Sequence, residues 1–524
     1  MKKLSFLTRI SLLLGFFFTL DKVLAFVRAI IIARTFSLSF ELDAFNVANN
    51  LPDLLAALIS GGALAMAFIP VLTQTLALEN RDKAWDLFSR VANLAFIATA
   101  ALAIVIAIFA DQIVGFWIAP GFDLAQRHVI ANLMRLDLIA TFIFSISGLV
   151  IAGLQANQHF LLPALAPILY NVGQIFGALF LAPKTPYTFG PVTFPSFGLG
   201  VYGLVYGVIL GAVMHLAIQI PGLIHYGFRW TPSIRINDPA IIEVFKVVGP
   251  RLLTVFGVQL MFVARDNLAS RLGQTGAISS LTYGWMIMQV PETLLGTAIA
   301  TAMLPTLSEF AARADWSGFR QTIDKALQVL IALTLPAGAI MAAGMHPLIR
   351  AAFHFDEAGT NLMTTTARVY MLTLCGYAIQ EVAARALYAR KEAMIPLATI
   401  VIRLIIYLGI GISAVVFFRP IGAPAIAVAE LSLTVEAIIM FAILNRRMKE
   451  PVGINGALLK GLAAALFGGV TAYVLALMLP GGAVITAIIG MAVGTVVALL
   501  IVQREFRLLF KLGKDESQES LAAA

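Results

Sequence analysis

The chain has 524 residues, of which 60% are hydrophobic and 12% charged, with a mean hydropathy of +0.92 and a formal net charge of +8. This composition excludes a soluble globule and leaves a polytopic membrane protein as the class that fits. The basic residues are spread over short connections and are not gathered with aromatics on one face, so the positive charge reads as a topology signal and not as a nucleic-acid surface.

About twenty apolar residues cross a bilayer. On that measure spans fall near 8–34, 42–75, 88–118, 126–155, 158–183 and 197–226, then near 240–272, 277–309, 321–345, 361–389, 393–418 and 421–446, with a last pair near 454–478 and 482–508. The fold class expected is therefore an all-α integral membrane protein of about 14 transmembrane helices. The basic opening (Lys2, Lys3, Arg9) runs on into the first span without a small-residue cleavage site, so it is read as retained. An even number of spans puts both termini on one side. One set of loops and termini carries eighteen lysines and arginines against four (Arg127, Lys184, Arg350, Arg419) on the other, which makes the first side cytoplasmic. Cys375, the only cysteine, has no partner for a disulfide or a thiolate metal site.

A weak internal repeat sets the organisation. AMAFIPVLTQT (65–75) recurs as ATAMLPTLSEF (300–310), and LQANQHFLLPALAP (154–167) recurs as LYARKEAMIPLATI (387–400). Six helices repeated in one orientation describe two lobes in a parallel pseudo-two-fold arrangement, with a substrate site expected between them. The division is an N-lobe over 1–228, a C-lobe over 229–450, a C-terminal helix pair over 451–510 and a disordered cytoplasmic tail over 511–524. Within the repeat, Pro70 matches Pro305 and Pro163 matches Pro396. Pro70, Pro305, Gly61 and Gly62 are the gating or hinge candidates.

Charge inside the spans carries the functional reading. From Asp21 to Leu72 the first two spans hold Asp21, Lys22, Arg28, Arg34, Asp43 and Asp53 among apolar neighbours. Ionisable groups at bilayer depth are costly and face a protein interior or a watery cavity. Lys22, Arg28 and Asp43 read either as one inward vestibule that grips phosphate or pyrophosphate, or as a helix cap with interhelical ion pairs. The seventh span begins at Arg251 and carries Arg265, Asp266 and Arg271. Neighbours on a helix point about 100° apart, so one of Arg265 and Asp266 is expected to pair across helices while the other faces the cavity. Glu430 and Glu436 read either as a site for a coupling proton or sodium ion, or as partners of Arg403. No HExxH, paired-cysteine or P-loop pattern occurs, so a transporter without a bound cofactor is expected, not an enzyme.

The run from Lys22 to Leu72, with Arg28, Arg34, Asp43, Pro52, Leu54 and Pro70, resembles the MurJ/MviN lipid II flippase family of the multidrug/oligosaccharidyl-lipid/polysaccharide exporter superfamily. Gly153, Asn157, Pro163, Pro167, Asn171, Gly249, Pro250, Gln259, the run Tyr283 to Pro305, Tyr388, Arg390 and Pro396 extend the resemblance over most of the chain. It implies a flippase of the bacterial cytoplasmic membrane, with both termini cytoplasmic. Such a protein moves undecaprenyl-pyrophosphate-linked peptidoglycan precursor from the inner to the outer leaflet by alternating access, driven by ion gradients or membrane potential. It also implies cavity roles for Arg28 and Asp43, with Lys22 where the family usually has arginine. Four cavity positions depart from the family. Ala56 and Gly61 replace an arginine and a glutamate, Met286 another arginine and Gln289 another glutamate, and Ala57 stands beside the first lost arginine.

The substrate-binding residues expected are thus Lys22, Arg28, Asp43, Asp53, Arg265, Arg271 and Gln289. The partners expected are a lipid-linked glycan precursor, membrane lipids and the cell-wall synthesis machinery. Export of another lipid-linked glycan or amphipathic compound, and a non-transporting scaffold that binds lipid II, are the alternatives.

Overall fold

The computed structural model describes residues 6–60, 63–79, 81–189, 192–234, 239–448, 453 and 456–508. The hinge candidates Gly61 and Gly62, the side chain of Arg251 and the tail 511–524 lie outside the described residues. By contacts the chain forms two compact units, Met1–Gly276 and Ala277–Ala524.

The first unit opens with α1 (Phe6–Phe36), α2 (Phe40–Ala48), α3 (Asn50–Leu55) and α4 (Ala63–Leu78). It continues with α5 (Arg81–Ile108), α6 (Ala110–Ile113), α7 (Leu124–Ala156) and α8 (Leu161–Phe176). A hairpin of β1 (Tyr187–Phe189) and β2 (Val192–Phe194) follows, then α9 (Val201–Ala217), α10 (Ile220–His225) and α11 (Pro239–Ser270). The second unit holds α12 (Ala277–Pro291), α13 (Ala298–Ala312), α14 (Trp316–Phe353) and α15 (Glu357–Ala389). It ends with α16 (Met394–Phe417), α17 (Ala423–Ala427), α18 (Ser432–Arg447), α19 (Ala457–Met478) and α20 (Ala483–Ile501).

Helices dominate because lipid offers no hydrogen bonds, so each span must satisfy its own backbone. Among the described residues, eleven helices are long and apolar enough to cross a membrane. The count of fourteen expected from sequence is reached only by adding α1, the broken α2–α4 stretch and α15. These three carry Asp21, Lys22 and Arg28, Asp43 and Asp53, and Arg368, Glu381 and Arg385, so apolarity alone does not select them. The second span, expected as one helix over 42–75, is interrupted. Ser39 caps α2 by accepting from the Leu42 amide at 3.3 Å, and a π-helical turn over Ala56–Ser60 follows α3. Outside the spans, β1 and β2 form the one sheet among the described residues, with Tyr187 opposite Phe194. The long helix α11 packs on α4 inside the first unit, so the contact boundary falls at Gly276 and not in the 226–240 loop where the sequence was divided.

Local geometry repeats between the units. Helices α7 and α15 are each 33 residues long, and each starts on an aspartate cap separated from the other by the same interval as the repeated segments 154–167 and 387–400. Asp123 accepts from the Gln126 amide at 2.8 Å, and Asp356 accepts from the Gly359 amide at 2.8 Å. Of the π-helical turns in the described residues, Glu292–Thr297 joins α12 to α13 and corresponds to the turn at Ala56–Ser60. Gly200 before α9 (φ 57°, ψ −138°) and Gly422 before α17 (φ 74°, ψ −144°) share a backbone conformation open to glycine alone. Pro70 and Pro305 both lie inside helices, α4 and α13, at exposed positions.

The cores are apolar and tightly ridged. In the first unit Phe68 and Leu72 of α4 meet Trp85, Leu87, Phe88 and Val91 of α5 and Leu149 to Leu154 of α7. In the second unit Met303, Leu307, Phe319, Ile323, Val382, Leu387 and Met440 join α13, α14, α15 and α18. The final pair, α19 and α20, packs on α14 through Val329, Ile340, Ala464, Ala472 and Ala498. Its other face exposes Leu459, Leu466, Phe467, Leu477 and Leu500, as expected of a helix pair facing lipid.

Candidate functional site

Asp21 and Arg28 are seven residues apart on α1 and so share a face. Asn171 of α8 joins them: Arg28 Nη1 donates to Asn171 Oδ1 at 2.8 Å, and Asn171 Nδ2 donates to Asp21 Oδ1 at 2.8 Å. The Arg28 guanidinium also lies over the Tyr170 ring, 6.0 Å from its centroid. Asp53, on α3 between the buried Pro52 and Leu54, has its side chain exposed at the edge of this cluster. It stands within electrostatic range of Arg28 and of Asp137 on α7. Tyr170 sits among all three of these charges and beside Gln174. Four helices, α1, α3, α7 and α8, thus converge on one polar cluster within the first unit. An arginine whose fork keeps one face on a neutral asparagine and an aromatic ring can take an anionic oxygen pair on the other.

The other expected residues fall elsewhere. Lys22 is exposed and its Nζ lies over Phe18 at 5.3 Å, one turn back along α1. Asp43 is buried in the first turn of α2, where its Oδ2 accepts from the Gly276 amide at 2.7 Å. Gly276 has φ +78°, and a Cβ there would come within 2.6 Å of Leu38 Cβ, so this turn needs glycine. Arg265 and Asp266, expected to point apart, pair with each other: Arg265 Nε donates to Asp266 Oδ1 at 2.7 Å. Asn50 Nδ2 of α3 donates to Asp266 Oδ2 at 2.9 Å, so the pair braces α11 against α3. A flexible arginine side chain can fold back along its own helix, which the 100° separation of backbone directions does not reveal. Arg271 is exposed and donates from Nε to Asn267 Oδ1 at 3.0 Å. Gln289 is half-buried on α12 of the second unit, as is Met286. Ala56 and Ala57 open the π-helical turn that follows Asp53.

Asp137, Tyr170 and Gln174 are not among the residues expected from sequence, and Asn171 enters there only as a family match. The signal was available in YNVGQ, three polar groups within five residues of an apolar span, and in the lone carboxylate of RLDLIATF. Among the described residues no group of three or more His, Cys, Asp or Glu is placed to hold a metal.

The Asp43 contact has a measurable consequence. Asp43→Ala strands the Gly276 amide in a buried turn, which costs about 1–3 kcal/mol. The melting temperature of the purified protein should fall, and Asp43→Asn, which keeps an acceptor, should lose less. Equal melting of Asp43→Ala and the native chain would show that the contact carries no stability.

A largely helical bundle of membrane-spanning length with a charged cluster at its interior defines a multi-pass membrane transporter. The family described as "Lipid II flippase MurJ" matches residues 32–499. The chain is 30% identical over 403 residues to the lipid II flippase MurJ of Burkholderia cenocepacia, covering 74% of this chain and 75% of that one. It is 25% identical over 436 residues to the probable lipid II flippase MurJ of Buchnera aphidicola, covering 82% and 81%. The chain belongs to the lipid II flippase MurJ family. Its fold matches a solved structure titled as lipid II flippase MurJ in an inward closed conformation, with TM-score 0.76, 19% identity, and coverage of 95% of this chain and 100% of that one. A solved structure titled as an inward-facing multidrug resistance MATE family transporter of the MOP superfamily matches at TM-score 0.65 and 15% identity, over 82% of this chain and 94% of that one.

Proposed function

We propose that this chain translocates lipid II from the inner to the outer leaflet of the bacterial cytoplasmic membrane by alternating access, with both termini cytoplasmic. Family membership and the excess of basic residues in one set of loops support that reading. The observation that carries it is the Arg28 cluster: a guanidinium held by Asn171 and Tyr170 inside a membrane bundle suits the pyrophosphate of a polyprenyl-linked headgroup. Lys22, one face round on α1, adds a second cation on the approach. Asp43 and the Arg265–Asp266 pair serve the cavity by holding α2, α3 and α11 in place.

Expressed in cells depleted of their own lipid II flippase, the chain should restore wall synthesis. Arg28→Ala should abolish the rescue and Lys22→Ala should weaken it. Unchanged precursor export in both variants would remove the proposed headgroup site.

Ala56, Ala57 and Met286 favour a second reading, in which the cargo is another lipid-linked glycan. Mass spectrometry of lipids that co-purify with the protein separates the two, because each polyprenyl pyrophosphate carries a recognisable glycan.

A further inference from the structure

We propose that Asp137, with Asp53 as its partner, is a proton-binding site in the wall of the first unit. Asp137 is 3% exposed, and its Oδ1 is buried with no hydrogen-bond donor. Gln174, also buried, has an Nε2 with no acceptor. An unsatisfied carboxylate oxygen and an unsatisfied amide donor therefore border the same tyrosine, Tyr170, in a region where native proteins leave few such atoms.

The charges around it do not balance. Facing Asp137 are Asp53 from α3 and the Tyr170 hydroxyl from α8. Arg28 of α1 already answers Asp21 through Asn171 and stands in range of Asp53, so this guanidinium is taken up by two other carboxylates. Of the other acidic and basic groups on elements packed against α7, Glu41 of α2 is exposed, His225 of α10 lies against the Tyr226 ring, and three more are engaged elsewhere. Asp43 of α2 holds Gly276, Asp111 of α6 holds Arg135 and His128, and His215 of α9 contacts Ser147. The charged residues of α5 end at Arg90, and α4 has none. A buried carboxylate without a countercharge is neutralised by taking up a proton. A metal cation would need several oxygen ligands, whereas a proton needs one, and the described residues offer no cluster of three. The proton adds to Oδ1, turns an acceptor that lacks a donor into a hydroxyl donor, and takes the residue from charge −1 to 0. The proposed path for the proton runs through Asp53, whose side chain is exposed at the edge of the cluster.

The test is infrared difference spectroscopy of the full chain in lipid bilayers as bulk pH is raised. The native chain should show the carbonyl stretch of a buried carboxylic acid that disappears on ionisation. Asp137→Asn should lack that band. Asp53→Asn should keep it but release the proton about one pH unit or more lower, because a neighbouring negative charge has been removed. A native-like band in Asp137→Asn, or an unmoved titration in Asp53→Asn, overturns the proposal. The second variant decides alone if the first does not fold. The spectra involve no lipid cargo, so they can fail while wall rescue succeeds, and the reverse.

Discussion

Gly207→Leu is expected to leave almost no folded protein in the membrane, and Gly207→Ala to fold with reduced stability. Helices α8 and α9 meet along a seam of glycines, with Gly203, Gly207 and Gly211 of α9 spaced four apart against Gly173 of α8 and Gly177 at the start of the π-helical turn that follows it. A Cβ on Gly207 would lie 2.7 Å from Gly177 Cα, and one on Gly177 would lie 2.6 Å from Gly207 Cα. Both obstacles are backbone, so neither can rotate away. Lipid provides no hydrophobic drive between helices, and close backbone approach is what holds such a pair together. One added methyl forces the helices apart at about 1–3 kcal/mol. Leucine adds three more carbons in the same place, enough to exceed a net stability of about 5–15 kcal/mol. The seam also sets the site, since a Cβ on Gly211 would come within 2.6 Å of the Tyr170 carbonyl oxygen, next to Asn171. Yield of monodisperse protein after detergent extraction and its melting temperature measure the effect. Gly409→Leu on α16 is the control, because nothing lies within 4 Å of a Cβ there and the position is exposed. Native yield and melting for Gly207→Leu would show that the helices can separate at no cost.

What could be read before any coordinates were seen was whatever is local or periodic. Apolar run lengths located the helices, and Asp123 and Asp356 announce the starts of α7 and α15 because a cap acts on amides two or three residues away. Of the two readings open for Glu430 and Glu436, the structure contains the pairing with Arg403, which contacts both. The candidate site is legible at Arg28 because a cation within an apolar span is rare enough to mark itself. Its partners are not, since Asn171 and Asp137 reach the cluster from helices more than a hundred residues further along, and periodicity says which face a residue occupies but not which helix it meets. The same limit hid the bond from Asp43 to Gly276 and the one from Asn50 to Asp266. The π-helical turn at Ala56–Ser60 left no trace in an apolar run, because one extra residue in a turn does not alter composition.

Arg403→Met is expected to destabilise the protein by about 3–5 kcal/mol, the cost of removing one partner from a buried ionic group. Arg403 of α16 is 7% exposed and pairs with Glu430 on the 3₁₀ turn Val428–Leu431, while its Nη1 lies 3.5 Å from Glu436 Oε2 on α18. Tyr377 of α15 donates to Glu430 Oε1 at 2.7 Å, Trp285 of α12 donates to the Tyr377 hydroxyl at 3.3 Å, and Thr399 donates to Glu436 Oε1 at 3.2 Å. The network therefore ties four helices of the second unit through a single cation. Removing it leaves two buried glutamates with only neutral donors, which cannot offset two negative charges at low dielectric. The melting temperature should drop well below that of the native chain. Combining Arg403→Met with Glu430→Gln and Glu436→Gln should recover most of the loss, because replacing a whole buried ionic group by neutral residues of similar volume is often close to neutral. Recovery in the triple variant is what separates lost charge balance from lost packing, since methionine fills the arginine stem equally in both. If the single and triple variants melt together well below the native chain, packing and not charge holds this corner of the bundle.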